Sequence, residues 1–567
     1  MTVPKSVHPA SISGSMTLLE RLTFDVIQTN TQYVNSFLNL ARNAYNILII
    51  GAPGVGKTER GINEAARRGK GVAIAFNRSV AEENNSRGLE SYTLDSLITK
   101  ALGIDSLLRA YPRGSLKNLE WVETRNVEYA VERMRSFASH VFGIPYSLDP
   151  YSEAPGNLLF HYLDVSVNKA GIEGARWLVS HLVGLKLNDA ALALCLYSAM
   201  LGVQPPICRY DLIYNGQSIN ALDFTFARAK VADGEGEGFF NGYEALFIDE
   251  FQDYSPVMLA SVARLFKHVD VLIIAFDDDQ CVYRRLHYAM CGEVALRLIN
   301  MVKNKEIDGK VIHLKRSHRV PDNIAQVAQR ALIRWSRGVR VPKAWCGTPI
   351  KGNIAVINPG EMLELVRRLA DEGKRVFIIA PSNEVVVSIA LSVMTHTGYR
   401  VNFLKDLPTS VRRVIEAAQA LVEGTVPLGD LVNEYGDQLI KLAVDLVEAL
   451  SRRVKDSLLV QTQTEVRERV KQILGEFKSK SIGIGQITID TPYTMKGLEA
   501  DAVFIINATT RRKIAFDAVH GDVRPLYVAL TRTRGDLYIV RFNTGYQWFP
   551  LDEFCRVAGI RCMRHDG

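Results

Sequence analysis

Residues Gly51-Ala52-Pro53-Gly54-Val55-Gly56-Lys57-Thr58 constrain this chain more than any other segment. They fit the pattern G-x-x-x-x-G-K-[ST], follow the apolar run Ile47–Ile50, and precede helically spaced Ile62, Ala65 and Ala66. The expected local structure is strand, glycine loop and helix, the context in which this pattern holds phosphate. The backbone of Gly51, Ala52, Pro53, Gly54, Val55 and Gly56 forms the cradle, and the helix N-terminus adds its positive dipole end. Lys57 is expected to reach the β- and γ-phosphates and the Thr58 hydroxyl to ligate Mg²⁺, so ATP and Mg²⁺ are the expected cofactors.

At 567 residues the chain should hold several domains, roughly three to five. The longest apolar stretch, Ala190 to Val203, carries Tyr197 and Ser198 and is too short to span a bilayer. Met1 to Gly14 lacks the charged-then-apolar build of a signal peptide. The seven cysteines, Cys195, Cys208, Cys281, Cys291, Cys346, Cys555 and Cys562, form no C-x-x-C pair. That argues against an iron–sulfur cluster, a zinc ribbon or a disulfide framework, and an intracellular, cytoplasmic compartment is expected. The net charge of +7 is compatible with a polyanionic partner such as nucleic acid.

Short apolar strands alternate with helical patterns in two blocks, the sign of parallel α/β sheets. The first block contains Asn46–Ile50, Val72–Phe76, Ala245–Asp249 and Val271–Phe276. The second contains Val311–Leu314, Asn353–Ile357, Val376–Ala380, Ile487–Ile489, Ala502–Ile506 and Leu537–Val540. Each is interrupted by amphipathic helix, with apolar faces such as Val127-Ala130-Val131-Met134 and Val411-Val414-Ile415-Ala418. The expected divisions are 1–100 with 241–300, a helical insertion at 101–240, 301–403 with 482–567, and a smaller helical insertion at 404–481.

In the first block, Leu246-Phe247-Ile248-Asp249-Glu250-Phe251-Gln252-Asp253 runs from apolar strand into acid. An Asp at such a strand end can hold Mg²⁺ opposite the loop Thr, and the following Glu can polarise an attacking water. A neighbouring strand ends in Asp277-Asp278-Asp279-Gln280-Cys281-Val282-Tyr283. The neutral amide of Gln280 can hydrogen-bond a γ-phosphate or its attacking water, and so report whether hydrolysis has happened.

These segments resemble the superfamily 1 helicases of the UvrD/Rep/PcrA type. Asp249-Glu250-Phe251-Gln252-Asp253 is similar to their DE-x-QD motif. Asp277-Asp278-Asp279-Gln280-x-x-Tyr283 is similar to GD-x-DQ-x-I-Y, with Phe276 in place of Gly. Ala75 to Glu82 resembles T-F-T-N-K-A-A, Tyr92 to Leu97 resembles T-F-H-S-L, and Asp223 to Phe226 resembles DF-x-D-L. In the second block, Leu314 to Pro321 resembles the segment ending in Y-R-S, and Thr491 to Glu499 resembles T-x-H-x-x-K-G-L-E with Tyr493 in place of His. Leu526-Tyr527-Val528-Ala529-Leu530-Thr531-Arg532-Thr533-Arg534 resembles L-x-Y-V-A-x-T-R-A. The resemblance runs from Asn46 to Val540.

What the resemblance implies is an α/β fold of two RecA-like parallel-sheet P-loop NTPase domains, each interrupted by a mainly helical insertion. Its function would be an ATP-dependent DNA helicase moving 3′ to 5′ on single-stranded DNA. ATP would be hydrolysed in a cleft between the two domains. Arg319 would contact the γ-phosphate, His318 would stand where an aromatic stacks on adenine, and Arg532 would be the arginine finger. Gly497 would approach phosphate, Glu499 would hold the ribose, and Gln32 would read the adenine edge. Phe76, Asn77, Thr93, Tyr283, Arg285 and Tyr493 would contact DNA. The aromatic usual beyond Tyr283 is missing, and either an arginine plane or Tyr288 would replace it. Lys57→Ala should abolish turnover, and Arg532→Ala should cut it while leaving folding intact. Partners would be single-stranded DNA and junctions, with repair or replication proteins, and the chain a monomer. Two other readings are a translocase that strips proteins from DNA and a nucleotide-switched subunit of a repair or nuclease assembly.

Overall fold

A computed structural model describes residues 32–75, 78–104, 106–108, 213–214, 217–218, 221–282, 289–336, 340–404, 407–424, 426–457, 462–508, 523–542 and 546–560. It divides into two compact units, residues 1–50 with 57–313 and residues 51–56 with 314–567. Most of the helical insertion expected at 101–240 lies outside the described residues.

The first unit is built on β1 (Tyr45–Gly51), α1 (Lys57–Ala66), β2 (Gly71–Ala75), α2 (Arg78–Ser86), β3 (Glu90–Thr93) and α3 (Leu94–Leu102). It continues with α4 (Phe224–Ala232), β4 (Ala245–Ile248), α5 (Pro256–Leu265), β5 (Val271–Phe276), α6 (Glu293–Lys303) and β6 (Gly309–Leu314). The sheet order is β6-β1-β5-β4-β2-β3. Strands β1, β5, β4 and β2 run parallel, with Ile47 beside Ile273 and Phe247 beside Ile273. Every residue of β4 and β5 is buried, which is why they read as unbroken apolar runs instead of alternating ones. Helix α5 starts where Ser255 caps the Met258 N–H and Pro256 takes the first turn, where its missing N–H costs nothing.

One expected strand changes place. Val311–Leu314, expected to open the second block, belongs to β6 at the edge of the first sheet. Buried Asn46 joins it there: its N–H and its side-chain amide both donate to the Asp308 carbonyl, at 2.9 and 3.0 Å. Gly309 has no Cβ to keep that backbone away.

The second unit contains β7 (Arg316–Pro321), α7 (Asp322–Trp335), β8 (Cys346–Thr348), β9 (Ile354–Ile357), α8 (Pro359–Asp371), β10 (Val376–Ile379) and α9 (Asn383–Thr397). Four helices follow, α10 (Thr409–Glu423), α11 (Leu428–Tyr435), α12 (Asp437–Ser457) and α13 (Gln463–Lys480). The chain then returns through β11 (Ile487–Asp490), β12 (Ala500–Asn507), α14 (Arg524–Leu530), β13 (Thr533–Arg541) and α15 (Leu551–Ala558). The main sheet is parallel, in the order β9-β13-β12-β10-β11. Alternate residues of each strand serve opposite faces. Val376, Ile378 and Phe504 pack with α8–α10, α12 and α13, whereas Phe377, Ile379, Val503 and Ile505 pack with α7, α14 and α15. Capping boxes at Asn358/Glu361 and Thr462/Glu465 fix where α8 and α13 begin.

The cysteine expectation is overturned. Cys281 and Cys291 form a disulfide across a separation of 10 residues, and Cys555 is disulfide-bonded too. C-x-x-C spacing does not mark this pair, which a strand end and a helix N-terminus bring together. Among the described residues Cys346 is free and exposed. No helix of the described residues is long and apolar enough to cross a membrane.

Candidate active site

Parallel pairing sets the carboxyl ends of β1, β5 and β4 side by side, the edge at which open α/β sheets carry their ligands. The first turn of α1 brings Lys57, buried, and Thr58 to this edge. The Thr58 hydroxyl donates to the Asp249 carboxylate at 2.7 Å. Burial, then the neighbouring Glu250 charge, push the Asp249 pKa up to about 6, while Thr58 and Lys57 pull the other way. Glu250 has left-handed backbone, φ 50°, and its N–H donates to Asp249 at 2.9 Å. Its carboxylate accepts from the Gln252 amide. The Gln252 side-chain oxygen in turn accepts from the Asp277 N–H at 2.9 Å, and Gln280 donates to Asp277 at 2.8 Å. A chain of hydrogen bonds therefore runs from Thr58 through Asp249, Glu250, Gln252 and Asp277 to Gln280.

Gln252 and Asp277 are the members of this network to which the sequence alone assigns no role. Both lie inside quoted motifs, but only the folded chain shows the Gln252 amide joining two strand ends. Phe276, the departure from Gly, is fully buried at the end of β5.

In the second unit, the loop 51–56 meets β7. Ser317 donates from its hydroxyl to the Pro53 carbonyl, and His318 donates from its N–H to the Gly54 carbonyl, both at 2.8 Å. Gly54 has φ 70°, and a Cβ there would lie 2.5 Å from the Arg319 Cβ, so glycine is required twice over. Ala52 and Val55 join the apolar cluster of this unit. Arg319 is paired with Glu499, which Arg534 also contacts. Gly497 is exposed with φ 87°, and nothing lies within 4 Å of the Cβ it lacks.

Arg532 departs from expectation. Its side chain is fully buried, donating to the carbonyls of Val528 and Leu498 at 3.0 and 3.2 Å and to the Thr531 hydroxyl at 3.3 Å. The expectation that Arg532→Ala leaves folding intact is corrected, because this guanidinium ties the end of α14 to the segment before β12.

The remaining residues are dispersed. Thr93 caps α3, accepting from the Ser96 N–H at 3.2 Å, and Gln32 is exposed in the helix spanning 32–42. His318 is exposed and Tyr493 half-buried. Phe76, Asn77, Tyr283 and Arg285 lie outside the described residues.

Residues 236–286 match the family described as UvrD/REP helicase N-terminal domain. This stretch spans β4, the acidic motif, β5 and Gln280. No curated protein matches the chain. Among solved structures, the chain is similar to an arterivirus nonstructural protein 10 (helicase), at 10% identity and TM-score 0.31, over 92% of this chain and 64% of that one. It is also similar to the C-terminal domain of a possible DNA helicase from Lactobacillus plantarum, at 13% identity and TM-score 0.20, over 41% of this chain and 90% of that one. At such scores neither likeness bears on fold or function.

Proposed function

We propose that this chain is a UvrD-like superfamily 1 helicase that hydrolyses ATP at the carboxyl edge of the first sheet and uses the cycle to move 3′ to 5′ along single-stranded DNA, a reading supported by the match of residues 236–286. The observation that carries the reading is the 2.7 Å contact between Thr58 and a buried Asp249, with Lys57 beside them. A buried carboxylate whose charge the fold resists is suited to a cation, and the two groups offer hard oxygen donors. Thr58 and Asp249 would hold Mg²⁺, which when bound neutralises phosphate charge.

The chain's own groups do the rest. Lys57 places a positive charge against the β- and γ-phosphates. The Glu250 carboxylate accepts a proton from the attacking water, its orientation set by the Gln252 amide. Gln280, tethered to Asp277, is the amide that hydrogen-bonds the γ-phosphate or that water. A γ-phosphate contact by Arg319, which is paired with Glu499, rests on the motif resemblance. Arg532 serves as a finger only after its guanidinium leaves the Val528 and Leu498 carbonyls. Adenine and ribose recognition by Gln32, His318, Gly497 and Glu499, and DNA contacts by Phe76, Asn77, Thr93, Tyr283, Arg285 and Tyr493, rest on the motif resemblance.

A duplex with a single tail tests the movement. The reading expects ATP-dependent displacement of the short strand from a 3′-tailed duplex and little from a 5′-tailed one. The reverse preference contradicts the polarity, and displacement without ATP contradicts the motor.

A further inference from the structure

Gln252 is fully buried and held from several sides. Its side chain bridges the Glu250 carboxylate and the Asp277 N–H. Its main-chain oxygen accepts from the Cys291 N–H at 3.1 Å, and the Cys281 sulfur lies 3.3 Å from the same oxygen. A disulfide sulfur has no proton to donate, so that last approach is a packing contact. Two residues on, the Tyr254 carbonyl accepts from the Met290 N–H at 2.9 Å. The buried Cys281–Cys291 disulfide thus joins two segments that both rest on the main chain of residues 252–254.

Backbone conformation ties the same two places together. Glu250 (φ 50°) and Cys291 (φ 51°) are left-handed, and among the described residues Lys305 is the one other non-glycine so placed. Side-chain-bearing residues take this conformation at a cost and keep it only where their surroundings over-determine it. For Glu250 the surroundings are Asp249 beneath its N–H and Gln252 on its carboxylate. For Cys291 they are the disulfide and the Gln252 carbonyl. Gly292 follows, and a Cβ there would lie 3.1 Å from the Asp278 Cβ.

We infer that the Cys281–Cys291 disulfide is a positioning element of the hydrolytic site, pinning Gln252 and, through its amide, the carboxylate of Glu250. The inference rests on the proposed role of Glu250 as proton acceptor. A dithiol opens the bond by thiolate attack on one sulfur, releasing the other cysteine. The reagent's second thiol then closes a cyclic disulfide and frees the first. The reagent loses two electrons and the protein disulfide gains them. Gln252 then loses its covalent backing and Glu250 its single orientation. Nucleotide binding, which falls to Lys57 and the glycine loop, is retained.

The test uses the full chain purified without reductant, with peptide mass mapping of the 281–291 linkage. Turnover, the KM for ATP and nucleotide-binding stoichiometry are measured on oxidised, dithiothreitol-reduced and reoxidised protein. The same measurements are made on Cys281→Ser/Cys291→Ser and on Cys346→Ser. Expected are a kcat at least about tenfold lower in the reduced and doubly substituted proteins, a KM within about twofold, and full binding stoichiometry. Reoxidation should restore the wild type but not the double variant, and Cys346→Ser should behave as wild type. Because reduction also opens the bond at Cys555, the double variant assigns the effect; if it does not fold, reduction of a Cys555→Ser variant, which lacks that other bond, decides. Free thiols at both positions in native protein overturn the inference. So does a kcat indifferent to the bond, or a loss of binding stoichiometry in step with kcat, which would mark a merely structural staple. No ATP turnover in the oxidised wild type sinks the proposed function and this inference together, whereas turnover indifferent to the bond sinks the inference alone.

Discussion

Asp249 pits stability against chemistry within one side chain. Its folded-state pKa, about 6, stands above the 3.8 of an unperturbed aspartate, so the folded chain binds the proton more tightly than the unfolded one. The stability this group supplies is fully present below about pH 4 and is lost as pH rises through about 6. At neutral pH the ionised carboxylate costs up to about 3 kcal/mol. Asn at this position keeps an acceptor for the Glu250 N–H and an amide for the Thr58 hydroxyl without the charge. Asp249→Asn is therefore expected to stabilise the nucleotide-free protein at pH 7.5, to stabilise it about half as much at pH 5, and to abolish turnover. Urea unfolding at the two pH values checks this, and equal effects at both would contradict it. Arg532 works in the opposite sense. Removing a buried guanidinium that serves two carbonyls and a hydroxyl should cost about 3 kcal/mol or more, so Arg532→Ala should unfold at lower urea than the wild type. From the sequence, Arg532 was legible as a motif member but its burial was not, because burial depends on Leu498, more than thirty residues away in the chain.

Helix α1 and strand β4 meet at an element-scale compromise. Gly61 lies mid-helix, where alanine would be favoured by about 1 kcal/mol on propensity alone. A Cβ there, however, would overlap the ring of Phe247, which is fully buried in β4. Overpacking of this kind costs about 1–3 kcal/mol, so the packing term wins. Gly61→Ala is expected to lower stability despite its better helix propensity, and denaturant unfolding that shows a gain would contradict the packing argument. The disulfide between the end of β5 and the start of α6 acts at the same scale, restricting the unfolded chain by about 3 kcal/mol for a 10-residue separation. Apolar runs made β1, β4, β5, β9, β10, β12 and β13 readable, because parallel strands buried on both faces need such runs. The sequence of β6 is legible as a strand but its sheet is not, since pairing through Asn46 and Asp308 leaves no mark in local composition. β3 escaped notice because Glu90–Thr93 is polar, and its place comes from pairing with β2.

For the molecule as a whole, the two blocks of alternating strand and helix foreshadowed two parallel sheets, and the order of motifs foreshadowed which residues gather at each. The Thr58–Asp249–Glu250 arrangement was legible because strand-end chemistry depends on local sequence. The Gln252 bridge, the pairing of Arg319 with Glu499 and the disulfide were not, because each joins residues from separate elements. The central claim is that the first unit's sheet edge hydrolyses ATP in service of movement on DNA. Steady-state ATP turnover of the full chain, with and without single-stranded DNA and repeated on Lys57→Ala, tests it most directly. The account predicts turnover that rises many-fold with single-stranded DNA and vanishes in the variant. Turnover absent from the wild type, or undiminished in Lys57→Ala, would contradict it.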